Sequence, residues 1–251
     1  MILSWETIKI EDMENLMRLD KLLSHAGYCS KKRAAEFLKN NMVLINGIRT
    51  HEPGTKLNVG KDTIGVNGNA LKDLEEKVYY LLNKPKGVVS TVADEHNRPT
   101  VVSLIPETKR IFPVGRLDEN TSGLIILTND GIFSNRLTHP SFHTPKTYEL
   151  TIRGFVPKPA LQKLRSGVAL KDGKTSPAKA ETLKKEKGNT VLEMTIKEGR
   201  NRQIRRMCGK LNLELLDLKR VVIGDLRDSN LKAGEFRKLS ETEINNLKRI
   251  D

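Results

Sequence analysis

Apolar and polar positions follow two different periods along this chain. Between residues 16 and 38 the apolar residues recur every three or four positions; from residue 42 onward they come in short runs broken by turn residues. The first pattern predicts helices. Leu16, Leu19, Leu22, Leu23 and Ala26 share one face, and Gly27 is a natural stop. Ser30 can cap a second helix, with Ala34, Ala35, Phe37 and Leu38 as its apolar face. The second pattern predicts strands. Residues 42–45 run into Asn46-Gly47 and residues 64–66 into Asn67-Gly68, pairs that favour tight hairpin turns.

A charged, patternless stretch, Lys72-Asp73-Leu74-Glu75-Glu76-Lys77, separates this small unit from the rest. Residues 78–82 then form a β-like run ending in Asn83-Lys84-Pro85-Lys86-Gly87, where Pro85 and Gly87 force a turn. Residues 94–99 are polar and predict a loop, with His96 and Arg98 on it. Next comes an apolar run at 112–114, a polar knot holding one carboxylate, Asp118, and a second apolar run at 124–127 closed by Asn129-Asp130-Gly131. Both runs predict strands, which puts Asp118 at a strand end facing a cleft. The same residue fits a plain turn, since Asp bonds readily to its own nearby backbone.

Ile132, Phe133 and Leu137 predict a short helix ended by Thr138-His139-Pro140, and residues 146–152 alternate as a half-buried strand should. A helix around 160–164 precedes strands turned at Gly167, Gly173 and Gly188, with 184–187 as an exposed turn. Ile204, Met207, Cys208 and Leu211 fall at i, i+3, i+4 and i+7, the stripe of a helix packed on a core. Arg202 and Arg206 point away from that stripe; Arg205 sits at its border and can reach a cleft while its stem stays packed. Strand material at 215–222 and a helix-like 241–250 finish the chain. The expected division is a tail at 1–15, a first domain at 16–75 and a second at 76–251.

Charge narrows the partners. Lys and Arg number 44 against 31 Asp and Glu, a net charge of +13, which favours a polyanion. Charge alone does not choose between RNA and DNA. Cys29 and Cys208 stand far apart, with neither disulfide nor zinc spacing around them. No run approaches the roughly 18 apolar residues of a membrane span. Glu6, Glu11, Asp12 and Glu14 occupy the place of a basic leader region, so the cytoplasm is the expected location.

Gly115-Arg116-Leu117-Asp118, followed by Thr121-Ser122-Gly123-Leu124 and Thr128-Asn129-Asp130-Gly131, resembles the central motif of the RNA pseudouridine synthases. More narrowly it resembles the branch that modifies ribosomal RNA and carries an N-terminal S4 domain. Arg18-Leu19-Asp20-Lys21-Leu22-Leu23 and Val43-Leu44-Ile45-Asn46-Gly47 look like the S4 module itself. The strand before Lys84-Pro85-x-Gly87, the Lys146-x-Tyr148 pair, Arg202-Gln203-Ile204-Arg205 and residues 234–239 match further elements, in the expected order.

The resemblance implies an α+β fold: a small S4 RNA-binding domain of helices and a small sheet, then a synthase domain on a mixed, mostly antiparallel sheet. It implies an isomerase that detaches a uridine base, rotates it and rejoins it through carbon, with no metal and no nucleotide cofactor. Asp118 inherits the catalytic carboxylate, Arg205 the cation paired with it, and Tyr148 the ring that stacks on the flipped base. On the residues alone, Tyr148 equally fits a core position and Arg206 an exposed helix face. The S4 helices of the family dock on structured RNA through backbone charge and shape. Arg18, Lys21, Lys31, Lys32, Arg33 and Arg49 are therefore the expected contacts there, joined by Lys84, Arg116, Arg202 and Arg206 in the second domain. The partner would be ribosomal RNA or a pre-ribosomal particle, bound by a monomer. Arg200-x-Arg202-Gln203-Ile204-Arg205-Arg206 is closer to members acting on large-subunit RNA, that is, 23S.

Two rival functions share these residues. A non-catalytic S4-type RNA-binding or ribosome-assembly protein would keep the fold but lose Asp118 or Arg205, and both are present. A metal-dependent nuclease would use Asp118 with Asp130 and wants several clustered carboxylates, of which this region supplies no convincing third.

Overall fold

Leu16 belongs to a strand rather than to the first helix. In the computed structural model, which describes residues 16–58, 61–71 and 76–250, the chain divides into two compact units, Met1–Glu76 and Lys77–Asp251. The expected tail and most of the 72–77 boundary lie outside the described residues. In the first unit β1 (Leu16–Arg18) leads directly into α1 (Leu19–His25), and α2 (Ala34–Asn40) follows. The strands are β2 (Val43–Ile45), β3 (Ile48–Arg49), β4 (Lys56–Asn58), β5 (Ile64–Val66) and β6 (Asn69–Ala70). β1 pairs antiparallel with β4, which draws Leu16 off the helical face, and β3-β2-β5-β6 form a second small sheet. Asn46-Gly47 and Asn67-Gly68 all take positive φ (51°, 79°, 52° and 82°), the two-residue turn that closes right-twisted hairpins.

Leu19, Leu22, Leu23 and Leu38 pack with Val43, Leu57, Ile64 and Val66. Two details differ from expectation. Ser30 precedes a 3-10 turn at Lys31–Arg33 and makes no capping bond, so α2 starts later; Ala35 is consequently exposed.

The second unit is built on β7 (Tyr79–Lys84), β8 (Phe112–Pro113), β9 (Ser122–Thr128), β10 (Lys146–Arg153), β11 (Ala169–Leu170), β12 (Gly173–Lys174), β13 (Lys179–Glu186), β14 (Asn189–Ile196), β15 (Leu215–Ile223), β16 (Leu226–Arg227) and β17 (Phe236–Lys238). Its helices are α3 (Gly131–Thr138), α4 (Lys158–Ser166), α5 (Gln203–Lys210) and α6 (Glu241–Lys248). The main sheet runs β13-β14-β10-β15-β9-β7-β17, antiparallel except at β15–β9. The fold is α+β with a mixed, mostly antiparallel sheet.

The parallel seam is where the sheet opens. Only Lys219↔Ser122 and Arg220↔Gly123 pair across it. A Cβ on Gly123 would fall 2.1 Å from the Arg220 carbonyl oxygen, so only glycine allows this approach. Beyond the two pairs, buried Arg220 inserts its Nε, which donates to the Leu124 carbonyl at 2.7 Å in place of a ladder amide. Ile204, Met207 and Cys208 of α5 are buried with Leu150, Leu192 and Met194, as the stripe predicts. Residues 184–186 belong to β13, and the turn lies at Lys187-Gly188 (φ 48° and 75°), because the strand pairs through Glu186↔Asn189. Ile132, expected on the apolar face of α3, is exposed.

Candidate active site

Asp118 lies in the segment between β8 and β9, not on a strand. Its carbonyl accepts the Thr121 amide at 3.0 Å, so its backbone closes a turn while its carboxylate stays out of it. The turn reading thus holds for its backbone, and the strand-end reading only in that the side chain faces a cleft. The side chain faces an open cleft of about 950 Å³, shared with Tyr148, Arg202, Arg205 and Leu218.

Two arginines approach the carboxylate and neither bonds it. Asp118 Oδ2 stands 3.8 Å from Arg205 Nε and 4.0 Å from an Arg202 terminal nitrogen. Arg205 is held back by its own anchors: its second terminal nitrogen donates to Asn120 O at 2.7 Å and Thr121 Oγ1 at 3.0 Å. Its Nε is buried without a hydrogen-bond partner. A buried unsatisfied donor is costly, and here it is aimed at the one carboxylate in reach. The apolar stripe of α5 fixes the base of this side chain. The helix start is fixed by Gln203, whose Nε2 donates to Glu198 at 2.6 Å, and by Arg200, which donates to the carbonyls of Asp172, Gly173 and Lys174.

Beneath the turn sits Lys84. It is fully buried, and its Nζ donates to the carbonyls of Val88 (2.6 Å), Pro85 (2.9 Å) and Glu119 (3.2 Å). Burial pushes its pKa down to about 8, partly offset by the negative Glu119 and Asp118. Lys84 was expected among the RNA contacts, and this burial corrects that. Both faces of this strand are buried, Leu81 and Asn83 as well as Tyr80 and Leu82, so a side chain at its end has no solvent face to turn to.

Tyr148 on β10 is partly buried, packs against two apolar clusters and lines the cleft. Arg116 is exposed at the rim. Arg206 forks onto Asp172 at 2.9 and 3.1 Å, which ties it to the protein rather than leaving it free for phosphate. Arg202 takes a left-handed conformation (φ 47°) and faces Asp118 as well as solvent. In the first unit Lys31, Lys32 and Arg49 are exposed and Lys21 half-buried; Arg18 pairs with Asp20 and Arg33 with Glu36, each at 3.0 Å.

Asp130 is committed elsewhere. It caps α3 by accepting from Ile132 N (2.9 Å) and Phe133 N (3.1 Å), and it accepts the Tyr79 hydroxyl at 2.8 Å. Burial alone would raise its pKa, but these donors outweigh it and the net shift is down. No group of three potential metal ligands exists among the described residues, and Asp130, the second carboxylate of the nuclease arrangement, is taken up by these bonds.

Residues 78–210 match the family model of RNA pseudouridylate synthases, and residues 17–64 match that of the S4 domain. The chain belongs to the RNA pseudouridylate synthase family. It is an isomerase with an S4 RNA-binding domain ahead of the synthase domain. Ribosomal large subunit pseudouridine synthase B of Bacillus subtilis is 42% identical over 93% of this chain and 96% of its own length. An uncharacterized RNA pseudouridine synthase of Aquifex aeolicus is 36% identical over 92% of this chain and 93% of its own. A solved pseudouridylate synthase superposes with a TM-score of 0.67 at 32% identity, covering 92% of this chain and 99% of that one. Among the described residues no helix is long and apolar enough to cross a membrane.

Proposed function

We propose that this synthase converts a uridine of large-subunit ribosomal RNA to pseudouridine, with Asp118 as the reacting carboxylate. The observation that carries the assignment is the loose contact of Asp118 with two arginines in the synthase cleft. Its Oδ2 stands 3.8 Å from Arg205 and 4.0 Å from Arg202, which leaves the carboxylate free to attack. The reaction detaches the uracil from its sugar, turns it and rejoins it through carbon. It needs a carboxylate for the attack, a cation that stabilises charge in a secluded site, and a platform for a base taken out of its stack. Asp118, Arg205 and Tyr148 fill these roles. The carboxylate has two candidate electrophiles, the sugar C1′ and the base C6.

The ribosomal substrate is supported by the 42% identity to the Bacillus subtilis protein, whose name states that target. Residues 16–75 serve as the S4 domain that grips structured RNA, and 76–251 as the domain that extracts the base. Lys31 and Lys32, both exposed, are the phosphate contacts to test. Reversing both charges should weaken binding and lower the slope of log affinity against log salt by roughly 1–2. An unchanged slope would remove this surface from the RNA contact.

The deciding experiment maps pseudouridines in ribosomal RNA by reverse transcription, in cells with and without the gene, rescued by wild type or Asp118→Asn. One large-subunit site should vanish and return only with wild type. A site restored by Asp118→Asn would overturn the catalytic assignment, and a small-subunit site would overturn the target.

A further inference from the structure

The segment on either side of Asp118 is tied to a single loop, and it is tied at both ends. Ser90, buried at the start of that loop, exchanges two hydrogen bonds with Leu117: its Oγ donates to the carbonyl at 2.9 Å and accepts the amide at 3.1 Å. Arg98, at the far end, donates to Glu119 Oε2 at 3.0 Å. Leu117 and Glu119 are the two chain neighbours of Asp118. Between the ties, Asp94, Glu95 and His96 line the same cleft as Asp118.

Arg98 is also the loop's internal brace. Its Nε and one terminal nitrogen fork onto Asp94 at 3.2 and 2.7 Å, and Asp94 Oδ2 accepts the amides of His96 and Arg98 at 3.0 Å each. The Arg98 guanidinium accordingly holds the Asp94 carboxyl well below the usual range. Below the loop, Val89 N donates to Pro99 O at 2.9 Å and Val101 N to Val89 O at 3.0 Å, closing its base. A guanidinium already fixed by one fork loses little further freedom on meeting a second carboxylate. Lysine has no such geometry.

We propose that Arg98 is a positioning residue: by holding Asp94 and Glu119 together it locks the 91–98 loop as a fixed wall of the cleft and fixes the turn that presents Asp118. This rests on the assignment of Asp118 above. Arg98 and Glu119 are each more than two-fifths exposed, and exposed ion pairs add little to stability. Asp94, at the other end of the brace, is only 8 % exposed, so removing Arg98 also costs some stability, whereas Glu119→Gln, which keeps that fork, should act on the chemistry alone.

The test is single-turnover and steady-state pseudouridine formation on a ribosomal RNA transcript by the full chain, carrying Arg98→Ala, Arg98→Lys, Glu119→Gln or both Arg98→Ala and Glu119→Gln. Misplacing a reacting group by about 1 Å costs up to about 10²-fold. Arg98→Ala should lower kcat by about tenfold or more, with KM shifted by less than about threefold, since RNA affinity comes chiefly from phosphate contacts. The double variant should be no worse than the weaker single, because the two residues act as one unit. Arg98→Lys keeps the charge and should recover little. Hydrogen exchange should show faster loop amides in each variant, and Glu119→Gln, which leaves the Arg98–Asp94 fork intact, should do so at an unchanged melting temperature.

Wild-type kcat in Arg98→Ala overturns the proposal. So does a loss confined to KM that Arg98→Lys restores, which would make Arg98 a phosphate contact. Asp118→Asn, assayed alongside, separates the two levels: if it stays active, the assignment of Asp118 fails whatever Arg98 does.

Discussion

Two arginine–carboxylate clusters in the second unit use the same side chains to opposite ends. At the C-terminal edge, Arg237 closes on Asp228 at 2.6 Å and on Glu243 at 2.7 and 2.9 Å. Glu243 also completes a capping box with Ser240 at the start of α6. Every polar group there is matched, and Arg237 carries the Glu243 carboxyl down to about 2, against the opposing effect of burial. In the cleft, Arg205 stops 3.8 Å short of Asp118, because Asn120 and Thr121 hold its other end. A closed pair stabilises; an open pair keeps its carboxylate available. The difference lies in which other groups hold the arginine.

The largest expected effect breaks the open pair at its carboxylate. Asp118→Asn should abolish product, and RNA affinity and melting temperature should stay near wild type, because no hydrogen bond among the described residues depends on that carboxylate. Loss of folding in this variant would mean the pair is structural after all. Next comes Arg205→Met, which keeps the packed stem and removes the charge. Losing one preorganised electrostatic contact costs about 10²–10³ in kcat, and single-turnover rates at saturating RNA should fall by about that much. A fall below about threefold would shift the electrostatic role to Arg202.

The closed pair should behave inversely. Arg237→Ala strands two carboxylates and should cost about 1–3 kcal/mol of stability by denaturant unfolding, with kcat per folded molecule unchanged. The sign of its pH dependence follows from the shift. Glu243 is depressed in the folded chain from an ordinary 4.5 to about 2, so its contribution is complete above 4.5 and is lost as pH falls toward 2. Wild type should lose stability across that window, and Arg237→Ala should lose less of it. Equal acid profiles would show that Arg237 is not what holds Glu243 charged.

The sequence displayed the chemistry of the cleft better than its tensions. Asp118, Tyr148 and the α5 stripe could be read because motif, strand alternation and helical period each mark a position locally. Arg205's distance from Asp118 could not, since it is set by Asn120 and Thr121, some 85 residues away in the chain. The Leu16 error has the same origin: helical spacing favoured α1, and pairing with β4 about forty residues later won. Arg206 reads as a phosphate ligand because nothing near it in sequence reveals Asp172, 34 residues away. Lys84 is the different case: it ends a strand buried on both faces, where a lysine runs against the usual preference for the surface.

Lys84 also sharpens the comparison, because it is a cation with carbonyl partners and no bonded carboxylate. Its three bonds span both the turn after β7 and the Glu119 carbonyl, so its charge and its donors both bear on the Asp118 turn. With a folded-state pKa near 8 against an ordinary 10.5, it sheds its proton inside the working range of many enzymes. Between those two values the unfolded chain holds a proton that the folded chain lacks, so this group's contribution to stability rises with pH. As pH rises through about 8 the charge beneath Asp118 fades and one donor is lost. Activity and this part of stability should therefore move in opposite directions. Between pH 7 and 9 the single-turnover rate should fall by roughly two- to fivefold, the scale of one charge acting through a partly screened medium, with no loss of folded protein by circular dichroism. Lys84→Met, which has no proton to shed, should start from a lower rate and lack that alkaline limb. If the limb persists in Lys84→Met, its source is another group, and Lys84 acts on the turn through its hydrogen bonds alone.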